Sequence, residues 1–420
     1  MTKKYLLLAL LPVAISSCVL LKKNGDDKNN PLRTILQDPA LKAVVARKDV
    51  YEVQIILTQI DRDDKQVPHF TTWHFNVDSN RYFYPASVVK MPLAALALEK
   101  ISNLKASGYP RIHSETPYQL DSVRAFQYRH TTDSAAPEGL PTIAQDVRAI
   151  FAVSDNEAYN HLFDFLGRQY INKTLFQKGY EHTAIMHRFY SGQRDQSIAQ
   201  PFRFVDKGGR VWWQEKEKVD RLEYVNPCTD LLKGKGYQNA QDSLVRQPYD
   251  FTAKNRFALP DMERMLRALL FPAAMPPEAR FNISDADYTL LHRSMGQFPR
   301  EFKHPKYSEQ SYWDGYVKFF VMGDTKNRQD GSIRIFNKVG EAYGTLTDVA
   351  YVVDAKSGVE FVLAATILCN SDGIFNDDAY DYDTVGFPFL AKLGQKVLEY
   401  ERKRPKTVVP DLDYWVRVVQ

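Results

Sequence analysis

Two runs near the start of the chain, "YEVQIILTQI" (51–60) and "FTTWHFNV" (70–77), are rich in β-branched and aromatic residues and flank the polar stretch "DRDDKQVP". The pattern predicts an antiparallel strand pair. From Ser87 to about Leu166 the apolar positions recur at helical period, and "TIAQDVRAIFAV" (142–153) opens with Thr142 and Gln145 in capping-box spacing. The centre of the chain is therefore expected to be mostly helical. Strands return in "SIRIFNKV" (332–339), "TDVAYVVD" (347–354) and "VEFVLAATIL" (359–368), followed by an amphipathic helix in "FPFLAKLGQKVLEYERK" (387–403). Between these blocks, "FVDKGGRVWWQ" (204–214) predicts a hairpin tip, and "KGKGYQ" (233–238) is most simply a solvated loop. No internal repeat is visible.

The first residues follow a different logic. "MTKKYLLLALLPVAISSC" carries two lysines, an apolar run from Tyr5 to Ile15 and then small residues leading to Cys18. This is the form of a secretion signal, and the run is too short to span a bilayer as a mature helix. "ISSC" resembles the lipobox of bacterial lipoproteins, which implies lipidation at Cys18 after removal of residues 1–17 as a signal peptide. Polar "KKNGDDKNNP" then makes 18–34 a flexible spacer ahead of one large region, 35–420. The expected location is the cell envelope, lipid-anchored, and Val19 in place of an aspartate favours the outer membrane or periplasmic side.

Composition narrows the chemistry. The 420 residues are 44% hydrophobic and 13% aromatic, enough for a substantial core. With 55 basic against 51 acidic residues, interleaved and not striped, the net charge of +4 gives nucleic-acid binding little support. The nine histidines form no metal-ligand spacing and no phosphate-binding glycine loop occurs, so neither a metal nor another cofactor is expected. Apart from Cys18 only Cys228 and Cys369 remain, which rules out a disulfide framework and leaves that pair bridged, free or buried.

Three short elements carry candidate chemistry. In "YPASVVKMPLAALALEK" Ser87 and Lys90 stand at the first turn of a strongly apolar helix. A desolvated lysine loses its proton readily, and a neutral amine within reach can take the proton of a serine hydroxyl. A Ser-x-x-Lys spacing arises by chance roughly once in a chain of this size. Ser102 and Lys105 show it too, at the charged end of the same helix, where a solvated C-terminus explains them. "VSDNEAYNHL" places Ser154, Asp155 and Asn156 between two helices, first of all an N-cap signal. "NKVGEAYGTLTDVAYVVD" sets Lys338 and Gly340 on a strand edge, suited to an extended anionic substrate. The alternative Lys356-Ser357-Gly358 falls in the turn between two apolar strands.

Together the three elements resemble the serine β-lactamase and penicillin-binding protein superfamily, with its S-x-x-K, S-D-N and K-T-G set. "YPASVVK", "AVSDNEAYN", "YGTLTDVA" and "VVDAKSGVEFVLA" are closest to the class A β-lactamases, over roughly Val53 to Tyr400. The resemblance implies an α/β (α+β) fold: an antiparallel sheet flanked by helices, built from both chain ends (about 35–85 and 330–420), plus a central mostly helical domain (about 86–329). A long insertion is expected within 195–255. The resemblance also implies Ser87 as the acylated nucleophile, Lys90 as its base and Ser154 as a proton relay. Asn156 would hold a substrate amide, Lys338 would attract a carboxylate on the strand shaped by Gly340, and the backbone amides of Ser87 and Glu341 would form the oxyanion hole. The implied substrate is a β-lactam or a related amide or ester derived from peptidoglycan. Alternatives on the same fold are a D-Ala-D-Ala peptidase and a non-catalytic module that binds the cell wall or a partner protein.

Two departures qualify this. Val339 stands where the family has Thr or Ser, removing a hydroxyl expected to bind a substrate carboxylate. The E-x-x-L-N stretch that supplies the deacylating base of class A enzymes is absent, and "DQSIA" offers Asp195 as its nearest echo, although a polar loop aspartate is the ordinary explanation of that residue.

Overall fold

The computed structural model describes residues 27–189 and 195–420, so the signal, Cys18 and most of the spacer lie outside the described residues. Strands β1 (Gln54–Arg62) and β2 (Pro68–Phe75) pair antiparallel, with Leu57 opposite Trp73. Near the other end, β3 (Ile333–Ala342), β4 (Thr345–Asp354) and β5 (Val359–Leu368) form an antiparallel meander, and β5 pairs with β1. The sheet order is β3-β4-β5-β1-β2, so both chain ends build one five-stranded sheet.

Side-chain alternation explains why both faces are covered. Ile55 and Leu57 of β1 join one apolar cluster with Ile335, Leu363, Leu390 and Leu393, whereas Ile56 and Ile60 join another with Phe336, Met262 and Leu269. A period of two sends successive residues to opposite faces, and each face needs its own helical layer. Helix Phe387–Lys403 covers the first face and helix Leu259–Leu270 the second.

Helix α1 (Lys90–Ala106) carries apolar residues on every side, and Leu93, Ala94, Ala95, Leu96, Ala97 and Leu98 are all fully buried. A helix apolar all round must be surrounded, and α2 (Ile143–Val153) and α3 (Asn156–Leu166) pack against it. Thr142 caps α2 by accepting from the Gln145 amide at 3.0 Å. Half of the expected capping box forms, because the Gln145 carboxamide turns instead to the carbonyl of His304 at 3.1 Å.

The central region is less helical than its sequence suggested. The described residues between 183 and 257 form a series of strands of two to five residues, including the hairpin Phe202–Val205 with Val211–Glu215 around Gly208-Gly209. Each is too short to show a period, so the pattern could not reveal them. "KGKGYQ" is also no simple solvated loop: Lys233 is buried and reaches the Glu52 carboxylate at 2.6 Å, and Gly236–Gln238 runs parallel to Ile374–Phe375. These contacts dock the 195–255 segment onto the sheet-bearing part. Cys228 and Cys369 are both free thiols.

Candidate active site

Ser87 stands on a 3-10 turn, Ala86–Val89, that leads into α1. Ala86 has φ +44°, a left-handed conformation that a non-glycine residue rarely adopts and that marks an imposed turn. Behind it passes β3. A Cβ added at Gly340 would lie 2.5 Å from the Pro85 carbonyl oxygen and 3.2 Å from the Ala86 Cβ, so only glycine lets the strand approach this closely. Lys338 and Gly340 therefore share the face of β3 that meets the Ser87 turn and Ser154.

Ser154 ends α2 with φ +59°, and Asp155 caps α3 by accepting from the Ala158 amide at 2.9 Å. The N-cap signal in "VSDNEAYN" thus belongs to Asp155. The sharp reversal at Ser154 leaves its hydroxyl free for two lysines: Lys338 Nζ lies 2.8 Å from Ser154 Oγ and Lys90 Nζ 3.3 Å from it. Lys90 also donates to the Ser154 carbonyl and, at 2.6 Å, to Asn156 Oδ1. Both of those oxygens can only accept, so they occupy the two N–H bonds of a neutral amine and leave its lone pair for a hydroxyl.

Burial favours that neutral form. Lys90 is fully buried, and desolvation, helped by the nearby Lys338 and opposed by Asp155, holds its pKa well below the ordinary lysine value. Phe189 covers its ammonium position, with the ring centroid 4.9 Å from Nζ. Lys338 is only 2% exposed, and burial, opposed by Asp348 and helped by Lys318, lowers it to about 7. Lys338 is thus a buried partner of Ser154, its Nζ also donating to the Val339 carbonyl at 3.0 Å.

Ser87 opens onto a cleft of about 510 Å³ whose walls include Tyr84, Asn156, His187, Lys254, Glu341 and Tyr343. Within the described residues the structure therefore gathers Ser87, Lys90, Ser154, Asn156, Lys338, Gly340 and Glu341 into one locality. Val339 lies on the opposite face of β3, 4% exposed, in the apolar cluster that includes Leu346 and Cys369. A hydroxyl at 339 would enter that cluster, contrary to the expectation that a Thr or Ser at this position would bind a substrate carboxylate. Asp195 fits the ordinary reading of a polar loop aspartate: its carboxylate accepts from the Ser197 amide at 2.8 Å and hydroxyl at 2.6 Å, and those bonds lower its pKa on an exposed turn. Ser102 lies roughly 20 Å along the helix from Ser87. Its hydroxyl is buried without a partner, not solvated as its position near the helix end suggested.

Sequence reading missed Lys254, His187 and Tyr343. Lys254 and His187 belong to no spaced pattern, and long-range folding brings them to the cleft, whereas Tyr343 opens the "YGTLTDVA" stretch but was given no role there.

Comparisons with known proteins identify the family. Residues 38–280, more than half of the chain, match the β-lactamase enzyme family, a span that includes Ser87, Lys90 and Ser154 but ends before β3. No curated protein sequence matches. Among solved structures, a β-lactamase from Sphaerobacter thermophilus DSM 20745 is similar at 16% identity and TM-score 0.45, over 87% of this chain and 97% of that one. A class A β-lactamase from Clostridium kluyveri DSM 555 gives 13% identity and TM-score 0.46 over 86% and 97%. The β-lactamase from Streptomyces albus G gives 11% and 0.46 over 85% and 97%. These overlaps are loose, and the assignment rests on the sequence match: the chain belongs to the β-lactamase enzyme family.

Proposed function

We propose that the protein is an active-site serine hydrolase acylated at Ser87 by a β-lactam or a related amide or ester. The observation that carries this reading is the placement of Ser154 Oγ between two buried lysines, Lys338 at 2.8 Å and Lys90 at 3.3 Å, beside a serine that faces an open cleft. In the proposed reaction Lys90 takes the Ser87 proton as Oγ attacks the substrate carbonyl. The charge that appears on the carbonyl oxygen is met by the backbone amides of Ser87 and Glu341. Collapse breaks the C–N bond of an amide or the C–O bond of an ester, and the proton passes through Ser154, supported by Lys338, to the departing nitrogen or oxygen. Asn156 steers the substrate amide along the cleft. Cys18 anchors the enzyme to the envelope by its lipid.

Release of the acyl-enzyme is the weak step in this scheme. Glu341 is the one carboxylate among the described residues lining the cleft, and Asp195 is committed to its own turn. A long-lived acyl-enzyme favours the second reading, a penicillin-binding D-Ala-D-Ala peptidase. Mass spectrometry after incubation with a penicillin separates the possibilities. Rapid turnover supports a β-lactamase and a stable adduct on Ser87 a peptidase, whereas no adduct and no hydrolysis would leave a binding module on the same fold.

A further inference from the structure

Among the described residues, the cleft beside Ser87 contains one positive charge that the catalytic groups do not use, that of Lys254. Lys254 Nζ touches the Tyr343 hydroxyl at 3.3 Å and lies 5.4 Å and 5.6 Å from the ring centroids of Tyr343 and Tyr249. Among the described residues no carboxylate comes within ion-pair distance of it. The other basic side chains near the cleft among the described residues are committed: Arg188 is buried against Asp164, and Lys90 and Lys338 hold Ser154. Burial would lower the pKa of Lys254, but the Tyr343 and Tyr249 hydroxyls outweigh it and leave the value raised. His187 adds no charge, since burial brings it down to about 4.

The surroundings are aromatic. Tyr84 meets Tyr343 edge-on at 4.9 Å, and Phe251 backs Tyr343 at 5.4 Å. A partly desolvated ammonium on an aromatic wall attracts an anion strongly, because little water competes for it. Lys338, by contrast, is buried and engaged. We propose that Lys254, supplied by the 183–257 segment, is a specificity-determining residue: the substrate of Ser87 carries a carboxylate next to an apolar or aromatic group, and Lys254 binds that carboxylate. This rests on the reading of Ser87 as the nucleophile, and it moves anion recognition from Lys338 to Lys254, beside Tyr343 at the end of β3.

The test compares two esters, 4-nitrophenyl hydrogen glutarate and 4-nitrophenyl butyrate, with the full chain and its Lys254→Met and Lys254→Arg variants. The ratio of kcat/KM for the carboxylate ester over the neutral ester should fall about tenfold in Lys254→Met, mainly through KM, and be largely kept in Lys254→Arg. An unchanged ratio in Lys254→Met would overturn the proposal. If neither ester acylates the wild type, the nucleophile reading has failed, and the subsite is then tested by calorimetry with 3-phenylpropionate on the Ser87→Ala protein. Binding weakened about tenfold by adding Lys254→Met supports the subsite, whereas equal affinity or no binding to Ser87→Ala rejects it.

Discussion

Ser87, Lys90 and Ser154 are ordinary residue types, and the burial of Lys90 beside the two serines is what gives them their expected chemistry. Ser87→Ala should remove acylation, a loss on the order of 10⁶ where the nucleophile is essential. Lys90→Ala should slow it about 10²- to 10⁴-fold, the range for a general base. Labelling with a fluorophosphonate probe, followed by mass spectrometry, checks both, and normal labelling of Ser87→Ala would end the assignment. A pH profile follows from the same burial. The lysine must be neutral to accept a proton, and its pKa is held well below the ordinary value, so acylation should rise with pH and level off before the range in which a solvated lysine titrates. The rising limb should disappear in Lys90→Ala. A wild-type profile still climbing near pH 10.5 would mean that Lys90 behaves as a solvated amine.

At the scale of elements, the site depends on how closely β3 passes the turn at the head of α1. Gly340→Ala puts a methyl group 2.5 Å from the Pro85 carbonyl oxygen, a backbone atom that cannot swing away. We expect a loss of about 1–3 kcal/mol in stability, the usual cost of overpacking, readable as a lower midpoint in urea denaturation. Acylation should fall by about 10²-fold, because the displaced turn carries Ser87. Wild-type stability and rate would show that the turn relaxes freely. The turn at Asp195 gives the opposite expectation. Its carboxylate is satisfied by Ser197, so Asp195→Asn should leave turnover of a β-lactam unchanged, and a reactive substrate should give a burst followed by slow release. Fast turnover in the wild type that Asp195→Asn converts into a trapped acyl-enzyme would make Asp195 the deacylating base.

For the whole molecule, the sheet built from both chain ends sets where the N-terminal segment joins the fold. Asn30 Nδ2 bonds the His74 carbonyl at 3.2 Å, and Leu32, Ile35 and Leu36 join the apolar cluster on one face of the sheet, so the chain is tied down from about residue 30 onward. About a dozen residues separate Cys18 from that point. Cys18→Ser should move the protein from the membrane fraction to a soluble or unprocessed form, as fractionation and mass spectrometry of the N-terminus would show. Unchanged membrane association without lipid on the wild-type N-terminus would exclude the anchor.

By itself the sequence determined the elements long enough to show a period. The five sheet strands, the capped start of α2 and the helix Phe387–Lys403 were legible because burying one face writes a repeat of 2 or 3.6 into the residues. The same holds for Ser87, Lys90, Ser154 and Lys338, since local spacing holds each group on its own element. Tertiary structure alone decided how those groups face one another. Lys338 lies 184 positions from the Ser154 hydroxyl it reaches, a contact that no local pattern encodes. It also decided that Val339 faces away from the cleft and that Asp195 serves its own turn. Lys254 and His187 were invisible for the same reason: strands of two to five residues carry too few positions to state a face, and long-range packing of aromatic side chains places them.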